Sequence, residues 1–334
     1  MVLEEQLQKY GLSFQDLQSR EGLVEVDTLY QQILPEEVLQ TFLQWRRGET
    51  SFTAIEESEF QIKLGEYLNT FIAKLFGLEN ETDALIERAN RYNRLMQFKE
   101  QFIQRGAKRY RQAIEGTFAE HHAALLEKVG AEDSDPELEA KIANYALSLD
   151  AEENAADIEA IHQWGSLAEK DEAGIARVEN WITFKFPARL DFDNLVATEE
   201  TTFQGIPVKV GANPLRQRDG FDLTDARMDR YEIASEIEYC KYCHDHDGDF
   251  CSIGFPVKKG EPEKGYRKNP FDETLTGCPL DEMISEMQRL EKEGLSIGAL
   301  AITMVENPMA PATGHRICND CMKSCIYQRA EPVN

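Results

Sequence analysis

The stretch EYCKYCHDHDGDFC, residues 238–251, opens the part of the chain that contains every one of its cysteines. It is followed by TGCPLDEMISEM at residues 276–287 and by GHRICNDCMKSC at residues 314–325. Thiolates separated by two or three residues are typical of soft-metal ligands, because both can reach one ion or cluster. The sequence therefore predicts a metal-binding tail, whose candidate ligands are Cys240, Cys243, Cys251, Cys278, Cys318, Cys321 and Cys325.

The start of the chain, MVLEEQLQKYGLSFQ, lacks the basic residues and the apolar run of a signal peptide. No apolar run reaches the length of a membrane-spanning helix. These features predict a cytoplasmic protein, and disulfides are rare in that reducing compartment. Seven cysteines are also an odd number, so disulfide pairing alone would leave one thiol over.

The charge of the chain limits its partners. With 61 acidic and 36 basic side chains, the formal net charge is -25. A surface of this sign repels phosphate backbones and anionic lipids. We therefore expect neither a nucleic acid nor a membrane as a partner.

The hydrophobic pattern predicts a mainly α fold in three parts. Residues 1–175 read as a helical domain of unknown role, with helices over about 35–45, 64–77 and 81–115. Residues 176–225 read as a short connector with two strands, because 180–192 and 201–210 alternate apolar and polar residues. Thr224 or Asp225 is expected to cap a helix that leads to Cys240. Residues 226–334 form the predicted cluster-binding domain.

Two kinds of metal fit the cysteines. Iron–sulfur clusters are favoured by Cys278-Pro279, which is expected to open a helix through 280–294 and to set its positive end near an anionic cluster. A second helix is expected over 299–307. Zinc is the alternative, in two tetrahedral sites. The candidate zinc ligands are Cys240, Cys243, Cys251, His244 and His246 for one site, and Cys318, Cys321, Cys325 and His315 for the other.

The segments TGCPLDEMI (276–284), GALAITMVENPMAPATGHRIC (298–318) and CMKSC (321–325) resemble the N-terminal iron–sulfur domain of the NADPH-dependent glutamate synthase small subunit and of dihydropyrimidine dehydrogenase. The resemblance covers about residues 236–334 and implies a helical, ferredoxin-like domain with two 4Fe-4S clusters. It assigns Cys240, Cys243, Cys251 and Cys325 to one cluster. It assigns Cys278, Cys318 and Cys321 to the other, with the fourth ligand missing or replaced by Gln328, Glu331 or water. Residues 252–275 are an insertion relative to that family and are expected to form a flexible or docking surface loop.

The resemblance also implies a function. In that family the domain relays single electrons between flavin centres and has no substrate pocket of its own. FAD and NAD(P)H are then expected on a following domain or on a flavoprotein partner, since no Gly-x-Gly-x-x-Gly turn occurs in the 334 residues. The chain is predicted to be a non-catalytic electron-transfer part of an oxidoreductase. The alternative is a helical scaffold with a zinc-stabilised tail.

Overall fold

A computed structural model describes residues 2–196, 198–211, 220–221, 228–246, 248–258, 260–313 and 318–333. Helices dominate these residues, which confirms the mainly α prediction. No helix among them is both long and apolar enough to cross a bilayer. The helices are α1 (Val2–Gln8), α2 (Arg20–Ile33), α3 (Glu36–Arg46), α4 (Ala54–Phe76), α5 (Glu79–Phe98), α6 (Phe118–Val129), α7 (Leu138–Ser148), α8 (Ala155–Ala168), α9 (Glu172–Val178), α10 (Arg230–Tyr239), α11 (Phe250–Ile253), α12 (Ile284–Lys292), α13 (Ser296–Glu306), α14 (Ala310–Thr313) and α15 (Asp320–Lys323).

Helix α4 has a capped start and a left-handed end. Thr53 accepts a hydrogen bond from the Glu56 backbone N–H, and the Glu56 side chain accepts one from the Thr53 N–H in return. Gly77 ends the helix at φ 68°, as its position after the apolar stripe predicted. The inner face of α4 packs against α1, α2 and α3. The buried residues of this first core are Leu7, Leu12, Tyr30, Leu34, Val38, Phe42, Leu64, Phe71 and Leu75.

A second core lies among α5 to α9 and centres on Trp164, which is 1% exposed. The predicted helix over 81–115 is wrong in its second half. Helix α5 ends at Phe98, a π-helical turn spans Lys99–Gln104, and a 3-10 turn spans Ala107–Arg109. The wider turn brings Phe102 and Ile103 into the core, where they are 7% and 0% exposed.

The connector contains one hairpin, formed by β1 (Thr198–Phe203) and β2 (Ile206–Gly211), which pair antiparallel with Phe203 opposite Ile206. The predicted strand over 201–210 is therefore a strand end, a turn and a second strand. The predicted strand over 180–192 is wrong, because that segment follows α9 as turns. Its apolar alternation arises because Trp181, Ile182 and Phe184 pack on the second core. The predicted caps Thr224 and Asp225 lie outside the described residues, and Asp229 caps α10 instead.

Helices α12 and α13 carry the cysteine-rich tail onto α4. Gly65 of α4 and Gly298 of α13 lie backbone to backbone, and a Cβ on Gly298 would sit 2.6 Å from the Gly65 carbonyl oxygen. Asn69, 2% exposed, accepts hydrogen bonds at its Oδ1 from the N–H groups of Ile297 (3.2 Å) and Gly298 (3.3 Å). Between the helices lies a small third core formed by Ile62, Leu290, Ala299 and Ile302.

Two expectations for the tail are corrected. Helix α12 begins at Ile284, so Cys278-Pro279 does not open it, and residues 278–283 are irregular. The 252–275 segment is not a loose loop. The Phe255 N–H donates to Leu275 O (2.8 Å), and the Arg267 N–H donates to Phe255 O (2.8 Å). Leu275 is 2% exposed, which anchors the end of the segment in the interior.

Candidate metal centre

The seven cysteines lie at the ends of short elements. Cys240 follows α10, Cys243 begins a 3-10 turn to His246, and Cys251 lies in α11. Cys278 and Cys318 lie in irregular segments, Cys321 lies in α15, and Cys325 follows α15. All seven are free thiols, and Cys318 is the exposed one. The disulfide interpretation is thereby excluded for this structure.

Four of the thiols, those of Cys240, Cys243, Cys251 and Cys325, interact electrostatically. Burial raises the pKa of Cys251 well above its usual range, and the charges of Asp249, Cys240, Cys325 and Cys243 raise it further, in that order. Burial likewise raises the pKa of Cys240 to about 12, with contributions from Cys243 and Cys325. Like charges shift a pKa only at short range. Cys325 is therefore a neighbour of Cys240, Cys243 and Cys251, although it lies far along the chain from them.

Cys278, Cys318 and Cys321 are brought together in the same way. Burial raises the pKa of Cys321 to about 11, with contributions from the thiols of Cys278 and Cys318. We call the group with Cys325 the first cysteine set and this group the second. This division separates Cys325 from the two cysteines that precede it. The zinc hypothesis had grouped Cys318, Cys321 and Cys325.

The two cysteine sets are joined through backbone contacts. The N–H of Cys278 donates to the carbonyl oxygens of Cys251 (3.0 Å) and Ser252 (2.7 Å). The N–H of Gly277 donates to the hydroxyl of Ser324, the residue before Cys325, at 2.9 Å. Each contact links a residue of one set, or its direct neighbour, to the other. The two sets therefore lie side by side.

Backbone N–H groups face several of the sulfurs. The Tyr242 N–H lies 3.4 Å from Cys240 Sγ as a donor. N–H groups of Phe250 and Met322 act in the same sense on Cys243 and Cys321, where they lower a pKa that burial raises to about 11 in each case. Hydrogen bonds of this kind tune the reduction potential of a thiolate-bound cluster. Burial has the opposite effect on the pKa of Cys240, Cys243 and Cys321 and raises it to about 11 or 12, so these three thiols are protonated at neutral pH and are poor nucleophiles without metal.

Among the described residues, the donor atoms that lie close enough together to share one ion are not cysteine sulfurs. Among the described residues, which include all seven cysteines, the group of three ligand atoms found within 4.8 Å of one another is Glu59, His244 and Asp245. No three cysteine sulfurs are that close. A tetrahedral zinc site with Zn–S bonds near 2.3 Å needs sulfurs about 3.8 Å apart. In a 4Fe-4S cubane each thiolate binds a different iron atom, so the thiolate sulfurs lie farther apart than around a single zinc ion.

The histidines of the zinc hypothesis do not join the sulfurs. His244 is 3% exposed, and its Nδ1 lies 2.6 Å from Ser285 Oγ. His246 is exposed, and His315 lies outside the described residues. The candidate fourth ligands of the second set have other partners. Gln328 donates to the carbonyl oxygens of Lys323 and Cys325, and Glu331 accepts from the Ala188 N–H at 3.0 Å.

Sequence reasoning missed a buried polar network beside the first set. Glu286 is 1% exposed and accepts from the Ser58 hydroxyl of α4 at 2.6 Å. Ser285, also 1% exposed, lies 3.4 Å from Asp249 and from Glu286. Burial and then the charge of Glu286 raise the pKa of Asp249 to about 7. A signal was available, because Glu286 falls on the same helical face as Met283 and Leu290 and so on the apolar stripe of α12.

Comparisons with known proteins give a family without a described activity. Residues 8–77 match the family described as the RP005 N-terminal alpha-helical domain. The chain is 24% identical over 308 residues to uncharacterized protein RP005 of Rickettsia prowazekii (strain Madrid E), covering 86% of this chain and 98% of that protein. A 26-residue stretch is 73% identical to uncharacterized protein RP006 of the same organism, covering 8% of this chain and 4% of that protein. No solved structure matches the chain.

These findings correct the resemblance to the glutamate synthase small subunit and dihydropyrimidine dehydrogenase. The long match runs across most of the chain to RP005, and no glutamate synthase or iron–sulfur protein accounts for it. The resemblance rested on short motifs such as Cys-Pro, which recur in unrelated metal sites and carry little information singly. The assignment of ligands therefore depends on the arrangement of the cysteines alone.

Proposed function

We propose that the chain is an electron-transfer protein whose tail holds two iron–sulfur clusters. The first would be bound by Cys240, Cys243, Cys251 and Cys325, and the second by Cys278, Cys318 and Cys321. The supporting observation is that the charge of Cys325 acts on Cys251 and Cys240, although Cys325 is far from them in the sequence. The resulting arrangement is ferredoxin-like in the sense that two clusters share interleaved ligands within a helical domain.

The donor set fits such clusters. Seven free thiols without a disulfide match thiolate-bound iron and sulfide. When bound, a cluster of this type accepts and releases one electron at a time. Burial of the first set lowers the local dielectric, and the Tyr242 N–H directed at Cys240 stabilises negative charge on its sulfur. The exposed Cys318 gives the second set an edge near solvent.

The partner in this proposal is another redox protein. A flavoprotein that oxidises NAD(P)H is a suitable donor, because flavins convert hydride pairs into single electrons. The acidic chain favours a partner with a basic docking surface. Reduced thiols and electron transfer both favour a cytoplasmic location.

Metal analysis of anaerobically purified protein tests the proposal. Two clusters of the 4Fe-4S type give about eight iron atoms and as many acid-labile sulfides per chain, with broad absorbance that fades on reduction. Zinc without sulfide would instead support the zinc-stabilised scaffold. Absence of both metals from anaerobic preparations would overturn both functions.

Two cysteine variants test the assignment of ligands. In the proposed arrangement Cys325→Ser removes iron from the first cluster and Cys321→Ser removes it from the second. Their electron paramagnetic resonance spectra after reduction should therefore lose different signals. If both variants lose the same signal, the two cysteines share a site and the proposed division is wrong.

A further inference from the structure

We propose that Glu59, His244 and Asp245 form a separate site for a divalent first-row transition metal ion. Their three ligand atoms lie within 4.8 Å of one another. Glu59 is exposed on α4, whereas His244 and Asp245 belong to the 3-10 turn that begins at Cys243. The site therefore joins the N-terminal helices to the segment that carries the first cysteine set.

His244 is the strongest support for this site. Its side chain is 1% exposed, and its Nε2 is buried without a hydrogen-bond partner among the described residues. A buried polar atom is seldom left unpaired, because it has lost its hydrogen bond to water. A metal ion at Nε2 would satisfy this atom.

The other ring nitrogen of His244, Nδ1, has an oxygen partner, as the second ring nitrogen of a metal-binding histidine usually does. Nδ1 lies 2.6 Å from Ser285 Oγ, and that hydroxyl lies 3.4 Å from the Glu286 carboxylate, to which it can donate. When Nδ1 carries the proton and donates to Ser285, Nε2 is left with a free lone pair, and Asp245 Oδ1 lies 3.1 Å from it. Histidine ligands usually donate their second ring N–H to an oxygen, which fixes the tautomer and the ring orientation.

A simple ion pair does not account for the same contacts. Asp245 Oδ1 lies 3.1 Å from Nε2, but Nε2 has no hydrogen-bond partner there, so the contact lacks hydrogen-bond geometry. Arg289 approaches Asp245 Oδ2 at 3.8 Å and offsets one negative charge. Glu59 has no ion-pair partner among the described residues. Two carboxylates against one guanidinium leave a net negative charge at the site, which suits a divalent cation.

The donor set defines the class of ion. One imidazole nitrogen and two carboxylate oxygens suit Zn²⁺, Mn²⁺ or Fe²⁺, with open positions for water. Thiolates bind zinc tightly but manganese poorly, whereas carboxylates accept manganese. Mn²⁺ is therefore a probe that reports on this site in the presence of seven cysteines.

The test is a titration of the full-length protein, isolated anaerobically with its native metals, with Mn²⁺ alone. Loss of the free-ion resonance signal counts bound manganese, and a nitrogen coupling in the bound-ion spectrum reports imidazole ligation. We expect one saturable site with coupling to a single imidazole. Glu59→Gln should weaken binding by at least about 10-fold, as should loss of the Ser285 hydroxyl in Ser285→Ala.

Glu5→Gln is the matched control, because Glu5 is also exposed, and its helix α1 packs at the far end of α4, where Gln6 donates to Lys74 O. It removes the same charge and should leave Mn²⁺ binding unchanged. Both variants change exposed residues, so both should fold. Equal weakening in the two glutamine variants would mean that manganese binds to the acidic surface in general. That outcome, an absence of saturable binding, or a spectrum without nitrogen coupling would each overturn the site.

Discussion

At the scale of single residues, the backbone contact between the two cysteine sets depends on two glycines. Gly277 and Gly254 have φ of +80° and +84°, and a Cβ on Gly277 would lie 2.3 Å from Gly254 N and from Ser252 O. These are backbone atoms that also position Cys251 and Cys278. We predict that Gly277→Ala lowers the free energy of unfolding by about 2–4 kcal/mol, from overpacking and the left-handed backbone together. Urea unfolding measures the loss.

Gly260→Ala separates the two causes of that loss. Gly260 also has a positive φ, +75°, but nothing lies within 4 Å of the Cβ position. This variant should lose only about 1–2 kcal/mol, the cost of the backbone conformation. If both variants lose the same amount, the close approach at Gly277 does not contribute. Iron content of the anaerobic proteins should fall in Gly277→Ala and stay constant in Gly260→Ala.

Lys99 gives a prediction for pH. It is 3% exposed, and burial lowers its pKa to about 8, partly offset by the nearby charge of Glu238. Below that pKa the folded protein holds a buried charge. As the pH rises from about 8 towards the ordinary lysine value, the unfolded chain binds more protons than the folded one, so this lysine's penalty disappears. Lys99→Met should therefore raise the free energy of unfolding by about 1–3 kcal/mol at pH 7.

The advantage of Lys99→Met should shrink towards pH 10, and urea unfolding of both proteins at the two pH values measures it. Lys99 Nζ also lies 4.8 Å from the centre of the Phe186 ring, and Lys108 Nζ lies over the same ring. Lys108→Met therefore measures the loss of the contact with this ring together with the ion pair to Glu169 at 3.4 Å. A gain for Lys99→Met that grows with pH would contradict the burial argument.

At the scale of elements, the crossing of α4 and α13 places the cysteine-rich tail. Asn69 supplies the acceptor for two N–H groups at the start of α13, where a helix has none of its own. We predict that Asn69→Ala lowers the free energy of unfolding by about 1–3 kcal/mol, because these groups lose a buried partner. Thr70→Ala is the control. Thr70 is exposed and bonds Glu66 O of its own helix, so its loss should stay within about 0.5 kcal/mol.

Sequence periodicity predicted the helices whose apolar residues all lie on one face. The stripe that ends at Gly77 and the apolar run of α13 are examples, since both patterns match one face of a helix. It failed at 180–192, where alternation came from aromatic side chains packing on α5 to α9 rather than from a sheet. It also failed beyond Phe98, since nothing in the pattern shows a π turn.

The candidate site was predictable to a different extent. The spacing of the seven cysteines was enough to name them as candidate ligands, because thiols two or three residues apart can reach one ion or cluster. The contact between Glu59 and His244 could not be predicted, because it arises only when α12 and α13 dock on α4. The same docking buries Ser58 against Glu286. Single-sequence patterns do not contain such long-range pairs.

At the scale of the whole molecule, the net charge of -25 opposes compaction. Salt screens this repulsion, since the Debye length falls from about 10 Å at 0.1 M to about 3 Å at 1 M. We predict that added NaCl raises the melting temperature by about 2–4 °C, which corresponds to roughly 1 kcal/mol for a chain of this size. KCl at equal concentration is the control for specific ion binding. A fall in melting temperature with both salts would show that attractive ion pairs dominate.

In the proposed electron-transfer function, the same charge should govern how oxidants reach the clusters. The second cysteine set includes the exposed Cys318, whereas Cys243 and Cys325 of the first are buried, so small oxidants should react at the second. A cationic oxidant such as hexaammineruthenium(III) is attracted by the acidic surface, and an anionic one such as ferricyanide is repelled. Between about 0.02 and 0.5 M NaCl, stopped-flow oxidation by the cation should slow by about 10-fold, and oxidation by the anion should accelerate. Rates for both oxidants that are independent of salt would place the reacting group away from the acidic surface, and would contradict an exit for electrons at Cys318.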